Sequence, residues 1–500
     1  MKEVDKQNWE YAHRLFQCVA AASRPLRADE LAGFLAFDFE SGPIPTFLAE
    51  WLPEDPTHTV LSTCSSLLAV VIVDDSPVLQ FAHFSVKEYL TSARLAKESD
   101  TISRFHVSMT TAHTIVAQAC LGILLDLDEN ITEDGLEDFP LVEYAAEHWV
   151  GHARFENVSS NVQDGMKRLF DPSKGRLSVW VWIYDPEHPW GRSERSERPA
   201  EAKGTPLHYA ASCGLHDVAT FLIVEHAQDV NARGFDDDRT PLHVALSRKH
   251  VHVAQLLLEH GADTKAEDVE KRNPLHLASQ NGLVEIARFI LERGIDKEAR
   301  DTKDWSPLER ASAEGHADVV QLLLDHGADA KAQCKNKITP MHVASLHGQL
   351  GASRVLLKHG ADVKAQNKDN EMPLHNASRK EVTRFLLEHG GDANALDIKN
   401  QTPLHHASNY GRVEAAQVLL EHGVDANARD ANNATPLHLV SSSKRFDGKY
   451  LDVVRLLLQY GSDIHARDDE GQTPFMKATK EENQGMMQLL LDNGAEDHRT

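Results

Sequence analysis

Cysteine is scarce. Cys18, Cys64, Cys120, Cys213 and Cys334 are scattered over 500 residues, odd in number and never spaced as CxxC. This excludes a disulfide framework or a zinc ribbon and fits a reducing compartment, cytoplasm or nucleus. Long apolar runs are missing too. The longest purely apolar stretch, 67-LLAVVIV-73, is far short of the roughly 20 residues a membrane span needs. The first ten residues, MKEVDKQNWE, are charged and offer no signal-peptide core. Positive charge is also in deficit: 52 Lys and Arg face 76 Asp and Glu, for a net −24, of which residues 1–203 carry −14 and 204–500 carry −10. An acidic chain repels phosphate backbones, which argues against nucleic acid as the main partner.

The signatures of catalysis are absent as well. No GxxxxGK[ST] phosphate loop, GxSxG turn or HExxH pair occurs. The run 126-DLDENITEDGLE-137 puts acidic or amide side chains at positions 1, 3, 5, 9 and 12 of a calcium loop. Ile131, however, stands where the sharp turn wants Gly, so a solvated acidic loop is expected. His148 and His152 lie four apart on a predicted helix, but WVG separates them, and ordinary packing is expected in place of zinc. The 29 histidines recur in fixed phrases and do not converge on one point. A non-catalytic protein without cofactor or metal is the expectation.

What the chain does have is a phrase that returns. TPLH stands at Thr205, Thr240, Thr402 and Thr435, with the worn forms NPLH at Asn273, SPLE at Ser306, TPMH at Thr339, MPLH at Met372 and TPFM at Thr473. The spacings are 35, 33, 33, 33, 33, 30, 33 and 38 residues. A fixed period of this length marks stacked supersecondary units. Within a unit, Thr caps a helix and Pro follows at the first helical position, where its missing N–H costs nothing. The first helix runs to a Gly such as Gly282 or Gly315. A second helix with adjacent leucines, as in 321-QLLLDHGADA-330, stops at another Gly such as Gly327. Polar stretches such as 264-TKAEDVEKR-272 bridge to the next unit. No unit can bury its apolar face alone, so neighbours must stack into a solenoid.

These units resemble ankyrin repeats, nine of them over residues 204–500. The resemblance implies a mainly α fold, an ankyrin-repeat α-solenoid with β-hairpin loops. It also implies protein binding on a concave side built from the loop before each Thr-Pro and the last turn of each first helix. Mapped onto repeats three to seven, those positions are Arg272, Gln280, Asn281, Lys303, Trp305, Glu314, Ile338, Leu346, His347, Asn409 and Tyr410. Trp305 is the one tryptophan of the array, and Trp and Tyr are frequent binding hot spots. Repeat six is short: 18 steps separate Met372 from Gly390 where regular repeats take 21, and no Gly remains in 376-NASRKEVTR-384.

Upstream, apolar positions in 9-WEYAHRLFQCVAAAS-23 recur at helical spacing, and further helices are predicted over 28-ADELAGFLAF-37 and near 59–68. The stretches 69-AVVIV-73 and 78-VLQFAHF-84 around the turn 74–77 predict two strands. Ser85 and Glu88 predict a capping box for the helix that follows. Three helices and a β-wing describe a winged helix, expected over 1–99. Its candidate third helix carries no Lys or Arg and residues 1–100 sum to −7, so DNA binding is not expected. A helical connector is expected over 100–190 and a polar linker over 191–203.

The runs 11–39 and 81-FAHFSVKEYL-90 resemble the winged-helix segment that follows the ATPase of NACHT-type NTPases. The runs 142-VEYAAEHWVGHAR-154 and 181-VWIYDPEHPW-190 resemble the helical connector that fungal members place before an ankyrin array. The ATPase itself has no counterpart in these residues. The resemblance implies an alternative: the regulatory and sensing half of a nucleotide-driven switch. It also implies a role for His83, which matches the family's His that touches the β-phosphate of ADP, given a nucleotide-binding partner. Phe81, Ser85 and Glu88 complete that match.

Overall fold

The computed structural model describes residues 9–64, 67–73, 76–98, 103–189, 202–444 and 447–496. It divides into two compact halves, Met1–Ala262 and Asp263–Thr500.

The N-terminal half opens with α1 (Trp9–Ala21), β1 (Leu26–Arg27) and α2 (Ala28–Gly33). The pair β2 (Phe37–Asp38) and β3 (Thr46–Phe47) comes next, then α3 (Pro56–Cys64), β4 (Leu68–Val73), β5 (Ser76–Phe81) and α4 (Phe84–Leu90). β5 lies between β1 and β4 in an antiparallel sheet, with Leu79 opposite both Leu26 and Val70. The apolar faces of α1 and α2 close on it: Leu15, Phe16, Leu31 and Leu79 are buried. β4 is an edge strand whose Ile72 is 64% exposed. Two residues of the predicted turn, 74 and 75, lie outside the described residues.

The predicted Ser85–Glu88 capping box does not form. α4 starts two residues earlier than such a box allows, and its N-cap is His83, whose Nδ1 accepts the Ser85 N–H at 3.2 Å. An imidazole nitrogen two residues before the hydroxyl reaches the free N–H first.

The 18-residue α5 (Met109–Asp126) is long and apolar enough to cross a membrane, but ten of its residues are buried in this half. It packs against α1, α6 (Val142–Ala153) and α7 (Ser159–Phe170). The acidic run after it forms an exposed loop with one turn of 3-10 helix, Asp134–Asp138. α8 (Arg176–Ile183) contributes Trp180, which meets Trp149 edge-on at 5.4 Å and donates its indole N–H to the Ala146 carbonyl at 2.8 Å. Trp180 also meets Tyr209 of the first repeat, so α8 and that repeat share one aromatic core. Glu187 fastens the seam, receiving Arg239 at 2.8 Å and Arg248 at 3.1 Å. Burial pushes the Glu187 carboxyl up, but Ser212, Arg248 and Arg239 together hold it below its ordinary value.

His148 and His152 do not converge. His152 shares hydrogen bonds of 2.8 Å with His113 and with Tyr144, whereas His148 leans on Tyr144 and Glu147. Desolvation drives His152 down to about 3, so it sits in this network as a neutral ring.

The repeats form as their residues dictate. In the C-terminal half, first helices begin at Pro274, Pro307, Pro340, Pro373, Pro403, Pro436 and Pro474, each with the expected cap residue before it. Gly282 ends its helix at φ 73° and Gly327 terminates a second helix at φ 81°, left-handed conformations that a side chain disfavours. The histidine of TPLH ties each repeat to the next. In repeat three, His276 Nδ1 accepts the Asn273 N–H while Nε2 donates to the Trp305 carbonyl at 3.1 Å. His342 reaches Glu371 and His438 reaches Gln472 in the same way. Repeat four substitutes Glu309, which accepts from Ser306 and pairs with Arg300 at 3.2 Å. Among the described residues the loops carry no extended β-ladder, only single bridges such as Cys334 with Ile338. An Asp or Asn side chain closes most of these turns instead: Asp301 Oδ1 accepts the N–H groups of Lys303 and Trp305 at 2.8 and 3.0 Å, and Asn367 does the same before repeat six, whereas Cys334 holds that place before repeat five.

Candidate functional site

Consecutive loops of the C-terminal half are locked edge to edge by backbone hydrogen bonds at their tips. Thr302 N–H donates to Glu270 O at 2.8 Å, Lys368 to Asn336 at 2.7 Å, Ile398 to Asp369 at 3.0 Å, Ala431 to Lys399 at 2.8 Å and Asp469 to Asn432 at 3.0 Å. Among the described residues the tips thus form two laddered runs, one joining the loops before repeats three and four and one joining those before repeats five to nine, with no such bond between the tips holding Lys303 and Lys335. At the foot of this ridge run the first helices, and those of repeats three, five, six, seven and eight are joined to the following loop by the TPLH histidine.

The eleven sequence-predicted residues all fall on this ridge and on the ends of the first helices, and none is buried. Lys303, Glu314, Leu346, His347, Asn409 and Tyr410 are exposed; Arg272, Gln280, Asn281, Trp305 and Ile338 are half-buried. Several are already engaged. Arg272 clasps Asp268 at 2.7 Å and Glu270 at 3.3 Å, and Asn281 donates to the Leu277 carbonyl of its own helix. The Trp305 ring lies 5.1 Å from the Arg310 guanidinium, which Asp301 holds with a 2.8 Å bond to Nε. That indole is braced, with one side left to solvent. Tyr410, 55% exposed, has the Arg412 guanidinium 4.8 Å from its ring, and Arg412 is itself fixed on the His375 carbonyl at 3.0 Å.

His83 stands apart, in the N-terminal half. It is exposed, bonded to the Ser85 hydroxyl at 2.8 Å and stacked beside Phe84 at 4.5 Å. It lines an open cleft of about 830 Å³ together with Arg24, Lys87 and the C-terminal end of α1.

Sequence reasoning missed three features of the ridge. Val269, Leu396 and Ile398 expose half or more of their surface on the loops. A cavity of about 380 Å³ opens between the last three repeats, lined by Lys399, Asp430, Asp468 and Lys477 among others. Third, Glu371, Asp397 and His406 come together closely enough to hold a metal ion. The donor set fits a divalent cation chemically, but its geometry has a simpler origin. The turn-capping Asp meets the residue nine positions later: Asp301 meets Arg310, Asp468 meets Lys477 at 2.7 Å, and Asp397 meets His406 at 2.9 Å. His406 occupies a place where two other repeats put a fixed cation. The signal, an Asp followed nine residues on by a base, is visible in the sequence once the turn is understood.

Similarity to known proteins follows the same boundaries. Ankyrin-repeat family models match residues 207–301, 298–367 and 423–500, and a second ankyrin model matches 386–440. The chain is 28% identical over 276 residues to azaphilone pigments biosynthesis cluster protein L of Monascus ruber, covering 52% of this chain and 57% of that protein. It is 40% identical over 78 residues to mouse Rabankyrin-5, covering 16% of this chain and 6% of that one. The chain thus spans little more than half the length of the first relative and a small part of the second. Among solved structures, the ankyrin repeat domain of human ASB11 aligns over 45% of this chain and all of that one, with 25% identity and a TM-score of 0.39. Across more than half of its length, residues 207–367 and 386–500, this chain belongs to the ankyrin-repeat family.

Proposed function

We propose that this chain is a non-catalytic interaction scaffold or sensor of the cytoplasm or nucleus. It binds a partner protein on the concave side of the array, where the loop ridge meets the first helices of repeats three to seven. The observation that carries the reading is the backbone ladder between loop tips. Within each of its two runs it holds neighbouring loops at a set spacing before any partner arrives, so less ordering entropy remains to be lost on binding. Trp305, braced by Arg310, and Tyr410, braced by Arg412, are the anchors. A large aromatic side chain already held in one orientation binds at low entropic cost, and truncating such a hot spot commonly costs about 2 kcal/mol or more. Capture of partners from the cell of origin, repeated with Trp305→Ala and Tyr410→Ala in folded protein, tests it. Loss of specific partners is expected; undiminished capture of all of them moves the surface elsewhere.

In this reading residues 1–99 are a winged helix, 100–190 a helical connector, 191–203 a linker and 204–500 nine repeats. The sheet order of β1, β5 and β4 against three helices supports the first assignment. A second reading, the regulatory half of a NACHT-type switch, draws support from the open cleft holding His83, Arg24 and Lys87. Imidazole and two cations suit a phosphate that a separate ATPase would hold. The chain alone should not bind ADP in a calorimeter. With such an ATPase present, His83→Ala should weaken ADP binding; an unchanged affinity removes His83 from the reading.

A further inference from the structure

The loop tips carry a concentration of positive charge that the chain as a whole does not. In a protein of net charge −24, the tips preceding repeats three to seven present Lys271, Lys303, Lys335, Lys337, Lys368 and Lys399, all exposed. Each lies within three residues of the side chain at the start of its turn. The acidic groups on the same turns are Glu270, Asp304, Asp369 and Glu371, with the buried Asp268, Asp301 and Asp397 at the turn starts, so the excess of positive charge is confined to the exposed tips. Beyond repeat seven the pattern ends: the next tip reads Ala431, Asn432 and Asn433, and the last reads Asp469 and Glu470. None of the six ammonium groups is paired with a carboxylate among the described residues.

The ladder turns these lysines into a row. Lys368 donates its own N–H to the tip holding Lys335 and Lys337, and the carbonyl of Lys399 receives the N–H of Ala431. Lys335, Lys337, Lys368 and Lys399 are thus carried at one-repeat intervals along one backbone edge, and the Lys271 and Lys303 tips are joined to each other in a separate run. Exposed Ile398 and Val269 interrupt the row with apolar contacts. A second row, Lys265, Lys297, Lys331 and Lys364, stands at the start of the same loops. There each lysine follows closely on an aspartate, Asp263, Asp296, Asp329 or Asp362, and adds no net charge.

We propose that the loop ridge of repeats three to seven takes up an extended acidic polypeptide segment, whose carboxylates pair with the tip lysines while its apolar side chains rest on Ile398 and Val269. This rests on the reading of the array as a protein-binding surface and names the class of partner. The acidic remainder of the chain repels such a segment elsewhere, which directs it to this edge. A polypeptide suits the ridge better than a nucleic acid because Glu270, Asp304 and Asp369 sit between the lysines. They repel a uniformly charged phosphate backbone but tolerate a peptide with spaced carboxylates.

The test uses the full chain and two fluorescent probes, a twelve-residue peptide alternating Glu with Leu or Gly and a twelve-nucleotide oligo-dT, followed by anisotropy. The tip variant carries Lys303→Glu, Lys335→Glu, Lys337→Glu and Lys368→Glu; the control variant carries Lys265→Glu, Lys297→Glu, Lys331→Glu and Lys364→Glu. Circular dichroism confirms that both fold. The peptide should bind the wild type and weaken about tenfold or more in the tip variant, the summed effect of four exposed ion pairs, and far less in the control. Affinity should also fall with salt. No peptide binding, equal loss in both variants, or oligo-dT binding as tight as the peptide would each overturn the proposal. If the peptide fails while partner capture still depends on Trp305 and Tyr410, only the acidic class is wrong. If both fail, the binding face itself is misplaced.

Discussion

Asp397 and His406 are joined by a 2.9 Å hydrogen bond across one turn of repeat seven, in a place where repeats four and nine join Asp to Arg310 and to Lys477. Asp397 is also the acceptor that closes its own loop, receiving Lys399 and Gln401 N–H groups at 2.7 and 2.8 Å. Burial pushes its carboxyl up, but the bond from His406 and those two N–H groups outweigh it and hold the carboxyl below its ordinary value. One carboxylate thus shapes the loop and clamps it to the first helix.

If His406 is an ion-pair partner, Arg should replace it and a small residue should not. His406→Arg should cost less stability than His406→Ala, because the guanidinium can keep the bond to Asp397. His406→Ala should cost about 1–3 kcal/mol by stranding a buried carboxylate oxygen. Zinc or a chelator should shift the melting temperature of neither wild type nor His406→Arg. A zinc-dependent rise in the wild type alone would make Glu371, Asp397 and His406 a metal site.

Acidification should loosen the array. Desolvation in the repeat junctions lowers His208, His276 and His375 to about 4, and it lowers His342, His405 and His438 in the same direction. A histidine lowered on folding binds protons preferentially when unfolded. Its stabilisation is complete above the unfolded value of about 6.5 and is lost as pH falls from there towards the folded value. Each of the first three should remove about 1 kcal/mol per pH unit over that window. Melting temperature should fall steadily from pH 7 to pH 5. A flat profile would mean that these rings are protonated in the fold already.

Repeat six should open first. Its first helix, Pro373–Asn376, has four residues where its neighbours have seven or eight, and it ends at Ala377 without a left-handed Gly. The backbone groups left over find other partners: the His375 carbonyl accepts from Arg412, and Ser378 N–H donates to the Ser345 carbonyl of repeat five. These substitutes hold the stack but bury less apolar surface than a full helix, and solenoid stability depends on such nearest-neighbour contacts. Hydrogen exchange within 366–400 should be faster than in repeats four and seven. Uniform protection along the array would contradict this.

The repeats were legible because each physical requirement has a residue that meets it almost alone. Thr-Pro starts the first helix, Gly turns out of most helices, and paired leucines fill the interior; a 33-residue period then repeats the evidence. The His of TPLH was visible as a pattern, but its job, linking one repeat to the carbonyl of the next loop, depends on a partner about 30 residues away. The Asp–His, Asp–Arg and Asp–Lys clamps were hidden for the same reason. Around α4, the capping motif pointed to Ser85 and Glu88, yet the chain bends so that His83 reaches the free N–H groups first. The six tip lysines lie in plain view in the sequence. Only the backbone ladder between tips turns them into a row.

The account stands on the claim that partners meet the loop ridge and first helices, and photo-crosslinking tests it most directly. A benzophenone amino acid is placed in turn at 305, 346 and 410, and for comparison at the exposed second-helix positions 285 and 318. The account predicts one set of cross-linked partners from 305, 346 and 410 in cells of origin, and none of them from 285 or 318. Cross-links confined to the second helices would contradict it.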